Sequence, residues 1–117
     1  MDARFEKLGR RWRRERAERA SRSAELRRLL VERGGPVLRA YGVRNAWLFG
    51  SVAARMAEAG SDLDLLVVPV AAADFWPLRR DLEAAMGRPV DLYTQDEDPV
   101  FVQKIMERGE PIGEIQS

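Results

Sequence analysis

Apolar positions along the chain follow two different spacings, and these separate strands from helices. Short, nearly unbroken apolar runs predict three buried strands, at Ala46–Phe49, Asp62–Pro69 and Pro89–Tyr93. Apolar residues three or four apart predict the helices that follow them, at Ser51–Ala57, Ala72–Met86 and Asp98–Arg108. Because strands alternate with helices, the predicted fold class is α/β, with a small mixed β-sheet flanked by helices.

The first part of the chain is predicted to form one long, Arg-rich N-terminal helix, from Ala3 to Arg33. Arg, Glu, Ala and Leu dominate this stretch, and proline is absent from it. Its apolar side chains form two short patches instead of one stripe, namely Phe5, Leu8 and Trp12, then Leu26, Leu29 and Leu30. We therefore expect residues 23–33 to pack on the body, while residues 3–20 extend against a partner or remain a solvated, frayed helix.

The segment Gly34-Gly35-Pro36 is expected to end this helix, with a glycine in the left-handed cap conformation. The chain would then consist of a basic arm, residues 1–33, and a domain, residues 34–117. Its net charge of +1 conceals a matching asymmetry. Residues 1–40 hold thirteen Lys/Arg against six Asp/Glu, whereas residues 41–117 hold seven against thirteen. Such a division suggests an interaction segment or an intramolecular clamp.

The amino-acid composition limits the side chains that could carry out catalysis. The chain contains neither cysteine nor histidine, so catalysis would depend on carboxylates, Ser, Lys or Arg. No stretch approaches the roughly 20 apolar residues of a membrane span, and the N-terminus lacks the apolar core of a signal peptide. We therefore expect a cytoplasmic protein without membrane contact.

The most informative stretch is Gly50-Ser51, followed after ten residues by Asp62-Leu63-Asp64. Strand alternation puts Asp62 and Asp64 on the same side of the second strand. Neighbouring carboxylates repel each other unless a cation neutralises them, and oxygen-only ligands suit Mg²⁺. The turn at Gly50 offers backbone N–H groups at a helix N-terminus, where a phosphate is stabilised. A metal site facing a phosphate site is what phosphoryl or nucleotidyl transfer requires.

A later carboxylate, Asp91, stands inside the apolar third strand. Burial of its charge is costly unless the group is paired or bound to a metal, and the other reading is an edge position facing water. With this residue, the pattern resembles the nucleotidyltransferase superfamily of the DNA polymerase beta type. The short chain narrows the resemblance to the minimal nucleotidyltransferases. It covers roughly Val43 to Gly113 and includes "WLFGSVAARM", "GSDLDLLVV" and "GRPVDLYT".

This resemblance implies the nucleotidyltransferase fold and assigns the carboxylates. Asp62, Asp64 and Asp91 would be the catalytic residues and would hold two Mg²⁺ ions. Of these, Asp91 would hold the catalytic metal and could take the proton from the attacking hydroxyl. ATP would be the substrate.

The resemblance also implies a triphosphate-binding turn, formed by Gly50 and Ser51. Arg55 is the candidate phosphate-side arginine. Many relatives carry Arg-Gly directly after Gly-Ser-x-Ala, whereas Ala54-Arg55-Met56 shifts the arginine by one position and removes the glycine.

Four further side chains have two readings each. Lys104 and Arg108 lie one turn apart on the last predicted helix and either reach the nucleotide or remain solvated. Phe49 is expected to be a core or packing residue and not to stack on a base. Trp76 either packs on the surface or acts as a lid or partner contact.

The function implied by the resemblance is Mg²⁺-dependent transfer of AMP from ATP to a protein hydroxyl. The acceptor would be a tyrosine of a HEPN-domain toxin, and the protein would act as its antitoxin. One alternative is a non-catalytic module of the same fold that neutralises a HEPN partner by binding. Nucleic-acid binding by the arm is disfavoured, because acidic residues are mixed in and interleaved aromatic residues are missing.

Overall fold

The computed structural model describes residues 3–50 and 62–113, with the backbone alone for residues 3–8. The helical elements of these residues are α1 (Ala3–Leu29), a π-helical turn (Leu30–Gly34), α2 (Gly35–Ala40), a 3₁₀ turn (Ala72–Asp74), α3 (Phe75–Met86) and α4 (Pro99–Arg108). The strands are β1 (Asn45–Phe49), β2 (Leu63–Val68), β3 (Val90–Tyr93) and β4 (Glu110–Pro111). The helix predicted at Ser51–Ala57 lies outside the described residues.

These strands form one mixed sheet in the order β3-β2-β1-β4. Strand β1 runs antiparallel to both β2 and β4, whereas β2 and β3 are parallel. Parallel neighbours need a crossover connection, and α3 supplies it between β2 and β3. The α/β class and the mixed sheet flanked by helices are therefore confirmed.

One face of the sheet carries the main hydrophobic core. Leu48, Leu65 and Leu92 oppose one another across β1, β2 and β3, and all three are buried. The same core contains side chains from the helices, namely Leu26, Leu30, Leu38, Leu78, Leu82 and Met86. Full burial of each such side chain contributes roughly 1.5–3 kcal/mol.

The predicted end of the first helix at Gly34-Gly35 was wrong. Both glycines are right-handed, with φ of −81° and −53°, and the chain continues through the π-helical turn into α2. Gly34 is buried, and a Cβ added there would lie 2.9 Å from Leu30 Cδ1 and 3.5 Å from Leu82 Cδ2. This glycine therefore allows the turn to approach α3 closely, instead of capping a helix.

The other helix boundaries follow ordinary capping rules. The Asp98 carboxylate accepts hydrogen bonds from the backbone N–H groups of Val100 and Phe101, at 2.8 and 3.2 Å, and so caps α4. Gly87 ends α3 with φ of +68°. The helix predicted from Ala72 begins at Phe75, because Ala72–Asp74 forms the 3₁₀ turn.

The segment after α4 adds the strand β4 at the edge of the sheet. Its two residues pair with Trp47 and Leu48 of β1. The following residue, Ile112, donates its backbone N–H to Ala46 at 2.9 Å and buries its side chain in the core. Glu110 forms an ion pair with Arg27 of α1 at 2.7 Å. The edge strand thus joins the end of α1 to the sheet.

The N-terminal half of α1 projects from the body. The radius of gyration is 16.6 Å and the longest extent is 60 Å, whereas a compact domain of this length has a radius of about 13 Å. Trp12 is 61% exposed, and the first buried side chains among those described from Gly9 onward are Ser23 and Leu26. Residues 23–33 pack on the body as expected, while the division of the chain at residue 33 stays a prediction. No helix in the described part is both long and apolar enough to cross a membrane.

Candidate active site

The second face of the sheet carries a cross-strand row of three side chains. Phe49 of β1 opposes Asp64 of β2, and Asp64 in turn opposes Asp91 of β3. Asp64 lies between the core residues Leu63 and Leu65, and Asp91 lies between Val90 and Leu92, so both carboxylates lie on the opposite face. The register therefore brings two of the predicted site residues side by side, and both are half-buried.

This arrangement alters the ionisation of Asp64. Burial, the negative charge of Asp91, a hydrogen bond with Asp91 and the charge of Asp62 raise the pKa of the Asp64 carboxyl above its ordinary value, in that order of size. Each of these influences disfavours the charged form or favours the protonated form. A cation bound between the two carboxylates would remove the repulsion.

Asp62 lies at the rim of this group. The second strand was predicted to begin at Asp62, but it begins at Leu63, and Asp62 is exposed. Among residues 3–50 and 62–113, no three acidic side chains are grouped closely enough to hold a metal ion by themselves. The predicted roles of Asp62, Asp64 and Asp91 as metal ligands therefore remain predictions.

The adjacent carboxylates nevertheless fit a magnesium ion. Mg²⁺ is commonly held by one or two carboxylates, with water and substrate phosphates completing its octahedral shell. The pairing of Asp64 with Asp91 supplies that donor set, and a cation there would offset the burial and the charge of Asp91, which raise the pKa of the Asp64 carboxyl. Asp64 and Asp91 would hold the ion, with Asp62 nearby.

Gly50 lies directly against the Asp64 carboxylate at the end of β1. Its φ of +77° falls in the left-handed region that favours glycine. A Cβ added at this position would overlap Asp64 Oδ2 and lie 3.1 Å from Asp64 Cγ. Glycine is thus required both by the backbone and by the neighbouring carboxylate.

Helix α4 covers part of the same face through an aromatic cluster. The Phe101 ring centroid lies 5.4 Å from that of Tyr93 and 6.1 Å from that of Phe49, and Phe49 and Tyr93 are 5.4 Å apart. Burial, followed by the charges of Asp91, Asp64 and Glu97, raises the pKa of the Tyr93 phenol. The aromatic cluster therefore adjoins the acidic pair, and Phe49 packs in it as expected.

A cavity of about 380 Å³ opens between the end of β1 and α4. Its lining comprises Phe49, Gly50, Phe101, Lys104, Ile105, Arg108 and Gly109. The volume lies in the range of small-molecule sites, which runs from roughly 300 to 1,000 Å³. Because Phe49 opposes Asp64, the cavity lies beside the acidic pair.

Phe101 was not predicted from the sequence, and Lys104 and Arg108 were left undecided between two readings. The available signal was their spacing, since residues three, four and seven apart share one face of a helix. The structure brings all three to the cavity together with Gly50. Ser51 and Arg55, the other predicted nucleotide-binding residues, lie outside the described part of the chain.

Comparison with known proteins defines the class to which this fold and site belong. Residues 36–117 match the family model described as polymerase beta, nucleotidyltransferase. The chain therefore belongs to the polymerase beta-type nucleotidyltransferase family, as its motifs predicted. No curated protein matches the chain significantly.

A solved structure, described as a toxin-antitoxin with AMP-PNP, is similar to this chain. The TM-score is 0.60, the sequence identity is 23%, and the match covers 69% of this chain and 70% of that one. At this level of identity the likeness establishes the shared fold.

Proposed function

We propose that this protein is a Mg²⁺-dependent nucleotidyltransferase that transfers AMP from ATP to a protein hydroxyl. The observation that carries the proposal is the cross-strand pairing of Asp64 with Asp91, next to Gly50. Membership of the nucleotidyltransferase family supports the reaction class. The protein would act in the cytoplasm.

The residues of the site fit the parts of this reaction. Asp64 and Asp91, with Asp62 at the rim, would hold Mg²⁺, which activates the acceptor hydroxyl and stabilises the charge that develops on the phosphate. The hydroxyl oxygen would attack the α-phosphorus of ATP, and the bond to the β-phosphate oxygen would break to release pyrophosphate. A carboxylate of the pair, most directly Asp91, would accept the hydroxyl proton. Gly50 and Ser51 would bind the triphosphate, and Arg55 would assist them.

The proposed acceptor is a tyrosine of a HEPN-domain toxin, with this protein as the antitoxin. Two observations support a protein partner. A structure of the same fold is a toxin-antitoxin assembly with a nucleotide analogue. The projecting half of α1 also offers an Arg-rich surface with an exposed Trp12.

Intact mass spectrometry tests this function. A candidate HEPN toxin would be incubated with the protein, Mg²⁺ and ATP, and its mass followed over time. The proposal predicts a gain of one AMP unit per event, which disappears without ATP. Asp96→Asn is a suitable control, because Asp96 is exposed in the loop after β3 and should leave the transfer intact.

A second candidate function uses the projecting arm without catalysis. The same fold would neutralise a HEPN partner by binding alone, and the exposed arm favours this reading. Inhibition of the toxin with no change in its mass would support binding and contradict the enzymatic proposal. A mass gain that matches another nucleotide would retain the transferase class and reject ATP as the donor.

A further inference from the structure

Two cations on α4 face the cavity without a carboxylate partner in the described residues. Lys104 and Arg108 are both exposed, and both line the cavity beside Gly50. Within residues 3–50 and 62–113, neither side chain forms an ion pair or a hydrogen bond. The nearby carboxylate on the same helix, Glu107, accepts a hydrogen bond from Gln103 at 3.1 Å instead.

Other cations of the chain are used differently. Ion pairs with aspartate or glutamate are formed by Arg11, Arg27, Arg28, Arg79 and Arg80. Cations at the C-terminal end of a helix can be explained by its dipole, which stabilises positive charge there. The helix dipole does not require such cations to face a cavity, yet both Lys104 and Arg108 line one.

The position of the acidic pair narrows the choice of ligand. Lys104 and Arg108 lie on the α4 wall of the cavity, while Phe49 of its β1 wall opposes Asp64 in the sheet. A compact anion placed beside Asp64 and Asp91 would be repelled by their charges. A long anion with several phosphates can instead meet a metal ion at the carboxylates and the cations of α4 further along.

We propose that Lys104 and Arg108 bind the β- and γ-phosphates of the nucleoside triphosphate, so that the nucleotide lies between the acidic pair and α4. This inference rests on the proposed nucleotidyltransferase function and assigns its specificity for triphosphates. Gly50 lines the same cavity as the two cations, so its backbone forms the β1 side of the space in which the phosphates would lie. Charge-assisted hydrogen bonds from the ammonium and guanidinium groups would favour a triphosphate over a monophosphate.

The test compares how tightly each variant binds two nucleotides of different charge. Dissociation constants for ATP and AMP, both with Mg²⁺, would be measured calorimetrically for the wild type, Lys104→Gln, Arg108→Gln and the double variant. Arg80→Gln is the charge-matched control, since Arg80 pairs with Asp81 on α3, which belongs to the opposite face of the sheet. Thermal unfolding would show that each variant remains folded.

We expect each substitution to weaken ATP binding roughly tenfold, while AMP binding and the Arg80→Gln control stay unchanged. The preference for ATP over AMP should then be nearly lost in the double variant. An unchanged ATP affinity in a folded double variant would overturn the inference and leave the transferase proposal standing. Equal losses for ATP and AMP would also overturn it, because they would show that the cations only shape the cavity. Absence of nucleotide binding by the wild type would overturn both proposals.

Discussion

Gly50 and Asp64 are in direct contact at the ends of the antiparallel strands β1 and β2, and the carboxylate occupies the space that a side chain at Gly50 would need. Gly50→Ala should therefore be more harmful than an ordinary replacement of a left-handed glycine. The backbone cost alone is about 1–2 kcal/mol, and displacement of Asp64 comes in addition. We expect a lower melting temperature and loss of nucleotidyl transfer.

Gly42→Ala provides the matched control for this prediction. Gly42 has a similar φ of +80°, but a Cβ there would meet nothing within 4 Å. The Gly42→Ala variant should lose stability, because alanine is strained at this positive φ, but it should keep its transfer activity. Equal activity in the two variants would contradict the role of the contact between Gly50 and Asp64.

The strands and the acidic pair could be predicted from sequence because their signals are local. Apolar runs define β1, β2 and β3, and simple alternation places Asp64 and Asp91 on the face away from the leucines. Direct opposition of the two aspartates depends on the parallel register of β2 and β3. No local pattern sets that register, so their adjacency was implied by the family resemblance and became visible only in the structure.

The helix end predicted at Gly34-Gly35 was wrong because a contact distant in sequence, and not a local signal, decides the conformation there. A pair of glycines before proline is a strong local signal for a helix end. Gly34 does not end the helix, however, because it packs closely against Leu30 and Leu82. Contact with α3, nearly fifty residues later in the chain, decides its conformation. The cavity escaped prediction for the same reason, since α4 contributes Phe101, Lys104 and Arg108 to a wall completed by β1.

Removing one of the paired charges should stabilise the protein without ligand. In Asp64→Asn, the half-buried residue no longer carries a charge beside Asp91, so the melting temperature in metal-free buffer should rise. The additional stabilisation by Mg²⁺ and ATP should at the same time disappear. A sharp fall in the metal-free melting temperature would instead indicate a structural role for the carboxylate.

The pair of Tyr41 and Asp81 predicts a pH dependence of stability. The Tyr41 hydroxyl donates a hydrogen bond of 2.6 Å to Asp81 Oδ2 and so links the end of α2 to α3. This bond is the largest cause that lowers the pKa of Asp81 below its ordinary value of 3.8. An acid with a lowered pKa stabilises the fold above its ordinary pKa, and this contribution is lost as the pH falls through the folded value.

Tyr41→Phe should therefore reduce the free energy of unfolding at neutral pH, and its difference from the wild type should fade below about pH 4. Denaturant titrations between pH 2 and 7 measure this difference. In the Asp81→Asn background, the same substitution should show little pH dependence. A difference that persists undiminished at pH 2 would exclude Asp81 as the titrating partner.

The projecting part of α1 should be dispensable for folding. Among the side chains described from Gly9 onward, the first buried ones of α1 come after residue 18, so deletion of residues 1–18 should change the melting temperature little. Binding to a partner toxin should weaken. Leu30→Ala is the contrasting variant, because this buried side chain belongs to the core and its truncation should cost about 2–5 kcal/mol. Loss of folded protein on deletion would show that the arm supports the core.

Asp91→Asn tests most directly whether the pair of Asp64 and Asp91 performs nucleotidyl transfer. The measurement is transfer of label from α-phosphate-labelled ATP to the toxin, beside calorimetric binding of ATP with Mg²⁺. We predict that Asp91→Asn remains folded and binds the nucleotide but transfers no label, while Asp96→Asn transfers at the wild-type rate. Wild-type transfer by Asp91→Asn would contradict the account.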